Sequence, residues 1–200
     1  MINTGSIDEK VALYKQKANQ IGLEFPVLVK SKIGAKEKYA HYFFCVNNDQ
    51  GLRDALGFEG YDNCSLLIQA YAPHYEQVYK VYIIKDWFNA EIRLSLPESL
   101  LFAADYYAFD SQISFDRKHF KEFDPELDRL NPLVSTFVVN FSNYIGLTFY
   151  GIDILVSKKD GRHLVIDCNY LPNYPKVPPE ELVTRIDSWL DDVNRPVRNP

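Results

Sequence analysis

Thiols, imidazoles and glycines are scarce in this chain of 200 residues, which has 3 Cys, 4 His and 9 Gly. The three cysteines, Cys45, Cys64 and Cys168, are odd in number, far apart and set in apolar runs. A disulfide framework is therefore excluded, and buried reduced thiols in a reducing compartment, the cytoplasm, are expected. No CxxC pair and no histidine cluster offers a zinc site, and no nucleophile motif marks Ser-His-Asp or Cys-His chemistry. No apolar run is long enough to span a bilayer, and the polar start MINTGSIDEK is not a signal peptide, so membrane insertion is not expected. A basic excess is missing too. Lys and Arg total 22 against 27 Asp and Glu, a formal net charge of −5, which argues against a nucleic-acid partner. Any anionic ligand must then be held by a local cluster of cations. Internal repeats and low-complexity tracts are also absent.

What the chain does have is aromatics, 14 Tyr and 13 Phe, and enough length for one domain or two tightly joined subdomains. The most informative stretch is Gly151–Pro172, GIDILVSKKDGRHLVIDCNYLP. Ile152–Val156 and His163–Asp167 read as two strands rich in β-branched residues, with Asp160-Gly161 as the hairpin turn. Asp153, Asp167 and Asn169 interrupt these apolar runs. Asp167 and Asn169, two apart, share a face if the strand continues, and Asp153 on the partner strand can lie opposite them. Two carboxylates and an amide oxygen on one sheet face are costly to desolvate unless something neutralises them. A hard divalent cation such as Mg²⁺ fits, because it favours carboxylate oxygens and completes its shell with water and phosphate. The competing explanation, acids on an edge strand facing water, fits poorly with the flanking Ile152, Ile154, Val165 and Ile166.

The remaining chain reads as alternating helices and strands. Ser6 and Glu9 form a capping-box pair before a helix with Val11, Tyr14, Ala18 and Ile21 on one stripe and Gly22 at its stop. Phe25–Lys30 is a short strand ending in a lysine. The polar loop Ser31–Ala40 follows, with Gly34, Lys32, Lys36 and Lys38, then a strand at His41–Val46 and a short helix at Asp49–Leu56. Such a basic loop covers phosphates or is simply a solvated hairpin. Ser65–Tyr71, Val78–Ile84 and Asn89–Leu96 are further strands. Lys80 sits inside the second among aromatic and aliphatic neighbours, either snorkelling from an edge or meeting an anion in a cleft. Glu91, Arg93 and Ser95 alternate on the polar face of the third, wet or beside a cleft, where Arg93 would be a phosphate fork. Pro97–Asn131 reads as loops around one short strand. Amphipathic helices are expected at Pro132–Ile145 and Pro179–Val193.

The order of these pieces, from about Phe25 to about Val183, resembles the inositol 1,3,4-trisphosphate 5/6-kinase (inositol-tetrakisphosphate 1-kinase) family. The most specific part is GIDIL with VIDCNYLPNYPKVP, close to the family's G-I-D and V-I-D-I-N-x-F-P-G-Y. The resemblance implies an ATP-grasp fold of the α/β (α+β) class: two subdomains of mainly antiparallel sheet with ATP and Mg²⁺ between them, spanning 1–70 and 71–193, and a tail at 194–200. It implies that the family's N-terminal α/β domain lies outside the chain. It further implies a kinase that phosphorylates a hydroxyl of an inositol polyphosphate, working as a monomer that needs that domain or a substitute for it. By resemblance, Asp153, Asp167 and Asn169 hold Mg²⁺. Lys30 in FPVLVK lies on the nucleotide phosphates, Gln69, Ala70 and Tyr71 in LIQAYAPH border the adenine, and Ser95 and Ser111 lie near the nucleotide. His74 matches the later histidine of the hinge pattern. His41, Lys80 in VYKVYII and Arg93 in IRLSLP fall on the phosphorylated acceptor. Two other functions share parts of this pattern: an ATP-grasp carboxylate–amine ligase, which has no need of the His41, Lys80 and Arg93 cluster, and a binding module without turnover, which has less need of all three metal residues. Asn173 stands where the family has the glycine of P-G-Y.

Overall fold

The structure is a computed structural model. It describes residues 5–32, 39–113, 115–116, 130–170, 172–174 and 177–193, with backbone alone for 130–135. The chain divides into two compact units. The first takes Met1–Glu76 and Leu94–Lys121, the second Gln77–Arg93 and Glu122–Pro200.

In the first unit, helix α1 (Ile7–Ile21) starts where the sequence puts its cap. The Ser6 hydroxyl accepts from the Glu9 amide while the Glu9 carboxylate accepts from the Ser6 amide, and Gly22 ends the helix at φ 64°. Strands β1 (Val27–Ser31), β2 (Tyr42–Val46), β3 (Leu66–Ala70) and β6 (Tyr106–Asp110) form an antiparallel sheet in the order β3-β1-β2-β6. One face, carrying Val27, Val29, Phe44 and Val46, packs against α1 and α2 (Asp49–Leu56). Lys10, almost fully buried on α1, donates to the Leu56 carbonyl at the end of α2, 3.5 Å away, so its charge meets a carbonyl that the helix leaves over. The opposite face carries Leu28 and Cys45 against Leu96, Leu101 and Tyr107, with α3 (Glu98–Leu101) supplying part of that layer.

The second unit is a sheet in the order β5-β4-β7-β8, from β4 (Gln77–Ile84), β5 (Trp87–Leu94), β7 (Phe149–Val156) and β8 (His163–Tyr170). Strand alternation gives it two different faces. Tyr79, Val81, Ile83, Tyr150, Ile152 and Ile154 form a continuous apolar layer under α4 (Leu130–Ile145), which contributes Phe137, Val138 and Phe141. The other face is mixed, with a large apolar patch at one end. There Tyr82, Ile84, Phe149 and Tyr174 meet Leu182, Ile186 and Trp189 of α5 (Pro179–Val193). Next to it the face is polar, and Leu155, buried opposite Leu164, follows at the far end.

Two expectations need correcting. Cys45 and Cys64 are buried, but Cys168 is exposed, because β8 is an edge strand whose last four residues, Asp167–Tyr170, all reach water. The third strand of the sequence reading ends at Leu94, so Ser95 and Leu96 lie beyond it. The loop residues Gly34, Lys36 and Lys38 and the tail 194–200 fall outside the described residues. Among the described residues no helix is long and apolar enough to cross a membrane.

Ile152, 1% exposed between β4 and β8, should be the anchor of the second sheet. Ile152→Ala is expected to cost about 2–5 kcal/mol of unfolding free energy in a denaturant titration. A loss below about 1 kcal/mol would mean that β7 is not packed on both sides as described.

Candidate functional site

The polar face of the second sheet is built from two neighbouring rungs. On the first, Lys80 of β4 lies opposite Asp153 of β7, which lies opposite Asp167 of β8. On the second, Tyr82 lies opposite Gly151, which lies opposite Asn169. Directly opposed residues of an antiparallel ladder point to the same side, so five side chains and one gap share a surface. Lys80 Nζ donates to Asp153 Oδ2 at 2.6 Å, and Asn169 Nδ2 donates to Asp167 Oδ2 at 2.7 Å. The Lys80 and Asp153 side chains are 23% and 17% exposed, deep enough for the pair to matter.

A bulge makes this alignment possible. From Val156↔His163 to Ile154↔Val165 the register is continuous, but Asp153 pairs with Asp167, leaving Ile166 as an extra residue on β8. Without it, Asp153 would face Ile166, and Asp167 and Asn169 would turn toward α4 with Val165. A one-residue shift exchanges the faces of a strand, and bulges re-aim side chains in this way. Gly151 puts no side chain at the centre of the second rung, and Pro172 takes that space. A Cβ there would stand 3.0 Å from Pro172, so the chain after β8 closes directly over it.

The electrostatics follow from crowding. Burial pushes the Asp153 carboxyl above its ordinary range, the Lys80 ammonium pulls it back, the Asp167 carboxylate raises it again and Arg93 lowers it. Burial wins over the ion pair. Arg93 itself, on β5, is held by Glu91, which the sequence places on the same alternating polar face without a role. Glu91 is buried, and its Oε1 accepts from Arg93 Nε at 2.6 Å and from the Tyr82 hydroxyl at 3.1 Å. Burial and that carboxylate push the Tyr82 phenol up to about 12.

The first unit carries the remaining sequence candidates. Lys30, one residue before the end of β1, is half-buried, its ammonium 5.6 Å from the centre of the Phe43 ring. Gln69 lies opposite Leu28 and thus on Lys30's face, away from the α1–α2 core. Ala70 is exposed, and the Tyr71 amide donates to the Pro26 carbonyl at 3.0 Å. The Tyr71 hydroxyl is buried without a hydrogen-bond partner, and burial drives its pKa far up. His74 is almost fully buried between the Ala72 carbonyl at Nδ1 and the Ser95 hydroxyl at Nε2, both 2.8 Å away. A carbonyl only accepts, which puts the proton on Nδ1 and leaves Nε2 to accept from Ser95 in the neutral ring. The Ser111 amide donates to the His41 carbonyl at 2.8 Å, which joins those two candidates at one end of β2 and β6. Lys80, Arg93, Asp153, Asp167 and Asn169 thus assemble in the second unit, and Lys30, His41, Gln69, Ala70, Tyr71, Ser95 and Ser111 belong to the first. Sequence reasoning gave Glu91 and Tyr82 no role, because an alternating polar residue carries no sign of being buried.

Among the described residues no group of three His, Cys, Asp or Glu side chains is placed to hold a metal. A Mg²⁺ ion does not require one, since it uses one or two carboxylates and fills its shell with water and phosphate oxygen. Asp153 opposite Asp167, with the Asn169 amide beside them, offers two carboxylates and an amide oxygen, and the Asp167 carboxylate raises the cost of charge on Asp153. That donor chemistry fits the ion.

Residues 6–187 match the inositol 1,3,4-trisphosphate 5/6-kinase ATP-grasp domain. The chain belongs to this family. Relatives of the family include inositol-tetrakisphosphate 1-kinase 6 of Oryza sativa subsp. indica, 26% identical over 83% of this chain and 31% of the relative. Inositol-tetrakisphosphate 1-kinase 1 of Arabidopsis thaliana is 23% identical over 84% of this chain and 54% of its own length. The Xenopus laevis inositol-tetrakisphosphate 1-kinase is 24% identical over 78% and 40%. The chain therefore spans about a third to a half of the length of these relatives. Among solved structures, the macrocyclase MdnC bound with precursor peptide MdnA from Microcystis aeruginosa shares the fold. Its TM-score is 0.51 at 16% identity, over 95% of this chain and 53% of that one. The two antiparallel sheets of this family member are thus those of an ATP-grasp fold.

Replacing Lys80 with methionine keeps its bulk and strands the Asp153 carboxylate, so it should cost about 2–3 kcal/mol at pH 7. The sign follows from the raised Asp153 pKa. The folded state binds that proton more tightly than the unfolded chain, so the carboxyl favours folding at low pH and loses that contribution as pH rises through its folded value. Without Lys80 the folded value rises further, and the deficit of Lys80→Met should open as Asp153 ionises. Denaturant titrations at pH 7 and near pH 3.5 check it; equal losses at both would make Lys80 a packing residue only.

Proposed function

We propose that this chain is the nucleotide- and metal-binding part of a kinase that transfers the γ-phosphoryl group of ATP to a hydroxyl of an inositol polyphosphate. The observation that carries the reading is the rung Lys80–Asp153–Asp167 with Asn169 beside it, on a face that α5 covers only in part. Phosphoryl transfer needs little covalent help from a protein; it needs positioned partners and neutralised charge. Asp153, Asp167 and Asn169 would hold Mg²⁺, which when bound neutralises phosphate charge. Lys80 and Arg93 would meet the phosphates of the acceptor, and their seats on strands keep them from wandering. In the first unit Lys30 would hold the nucleotide phosphates as a point charge, with Gln69, Ala70 and Tyr71 at the adenine and Ser95 and Ser111 near the nucleotide. His41 would add an acceptor contact. His74 keeps the Ser95 hydroxyl pointed by taking its proton in a hydrogen bond.

Incubation with Mg·ATP and inositol phosphates of rising phosphate number, products resolved by anion-exchange chromatography, tests the whole reading. Phosphorylated inositols should be turned over and free inositol should not. Use of an amino acid or an unphosphorylated sugar would instead favour an ATP-grasp ligase.

Two variants divide the roles. Asp167 is exposed and repels Asp153, so Asp167→Ala should leave stability within about 0.5 kcal/mol while removing Mg²⁺-dependent turnover. Equal Mg·ATP affinity and turnover in wild type and variant would sink the metal assignment. Arg93→Ala removes a charge-assisted contact worth about 1.5–3 kcal/mol, so the acceptor KM should rise roughly ten- to hundredfold with ATP binding kept. Collapse of ATP binding at unchanged acceptor KM would move Arg93 to the nucleotide.

A further inference from the structure

A buried carboxylate inside a sheet needs a reason, and Glu91 is the most deeply buried acid on the polar face. Its side chain is 4% exposed while that of Arg93, two residues on, is 44% exposed. Two edges of the guanidinium are therefore treated differently. Nε and Nη2 lie 2.6 and 2.5 Å from Glu91 Oε1, while the Arg93 side chain keeps 44% of its surface exposed, which leaves Nη1 outside that contact. The Tyr82 hydroxyl reaches the same oxygen at 3.1 Å and so fixes the carboxylate from the other side. Tyr82 in turn stands on the rung of Gly151 and Asn169, next to the rung of Lys80, Asp153 and Asp167. The chain Tyr82–Glu91–Arg93 thus ties an otherwise mobile arginine to β4, the strand that carries Lys80 and pairs with β7.

A free arginine loses much rotamer freedom when it binds a phosphate, and one already held along Nε and Nη2 loses less. A free arginine also presents a full charge, whereas one paired to a buried carboxylate presents direction more than charge. We propose that Glu91 is a positioning residue for the acceptor: it holds the Arg93 guanidinium by one edge so that the other edge meets an acceptor phosphate in a fixed orientation. The inference rests on the reading of Arg93 as an acceptor contact, and it assigns to Glu91 a part in substrate affinity that acts only through Arg93.

The test is a double-mutant cycle with inositol 1,3,4-trisphosphate as probe, read both by calorimetry without nucleotide and by steady-state kinetics. Glu91→Gln keeps the shape and one acceptor oxygen, so it is the variant that folds; Glu91→Ala is made alongside. Glu91→Gln should weaken probe binding and raise the acceptor KM about fivefold, and Glu91→Ala about tenfold or more, with kcat and the KM for ATP within about twofold. In an Arg93→Ala background, Glu91→Gln should change neither quantity. A purely structural role would lower the melting temperature and leave the probe affinity of the folded protein unmoved, and that result would overturn the proposal. Equal effects of Glu91→Gln with and without Arg93 would overturn it too. If the wild-type chain bound and phosphorylated no inositol phosphate at all, the kinase reading itself would fall, and with it this inference.

Discussion

The structure of the second unit depends on keeping two opposed carboxylates on one sheet face. Asp153 and Asp167 are Cα partners on neighbouring strands, where like charges directly opposite each other destabilise a ladder. Asp153 is also withdrawn from water, so its charge is costly twice over. Lys80 offsets that cost from the third strand at 2.6 Å, and Asn169 takes up an oxygen of Asp167 with an N–H. Neither removes the strain on Asp153, whose carboxyl remains above its ordinary range. A fold optimised for stability alone would put a β-branched residue here, since apolar replacement of a buried ion pair is often neutral or better.

The surroundings make the arrangement tolerable. The far side of the same strands is largely apolar, with Val81, Ile83, Ile152 and Ile154 in the layer under α4. That layer fixes β4 and β7 independently of what their polar face does. At the other end of the polar face, Tyr174 and α5 cover Tyr82, Ile84 and Phe149. The charged rung therefore lies at the margin of a packed region. Its side chains are held by strand backbones on a closed apolar layer, which gives a constellation of charges little freedom to relax.

Much of this was legible in the sequence, and the parts that were not share a cause. The capping box at Ser6 and Glu9, the short helix at Asp49–Leu56 and the final helix at Pro179–Val193 are local patterns, and each forms where the residues put it. Lys80 stood out because lysine is rarely placed inside an apolar strand without a partner, and its partner is Asp153. The bulge at Ile166 had no such signature. Strict alternation from Val165 would turn Asp167 toward α4, and only the pairing with β7 shows that the face changes. Cys168 was misread for the same reason: an apolar run does not reveal that its strand lies at a sheet edge. Glu91 was missed because burial is a property of what packs above a residue, which here is Tyr82 and Arg93. The hydrogen bond from Ser95 to His74 joins residues 21 apart whose link no spacing rule suggests.

The balance of charge on the polar face carries a last consequence. Lys80 and Arg93 face three carboxylates, those of Glu91, Asp153 and Asp167, so the face as a whole is formally one charge negative. An anion arriving there meets cations whose charge is already largely spent on acids. Direct attraction is therefore weak, and ionic strength would weaken it further, because Arg93 and Asp167 are both open to water. On the proposed reading, a divalent cation held by Asp153 and Asp167 would turn that formal charge positive and relieve the repulsion between the two carboxylates. Lys80 would then share the neutralising of Asp153 with the ion. On that reading the carboxylates define where positive charge is needed, and supplying it would make this sheet face a better place for phosphate.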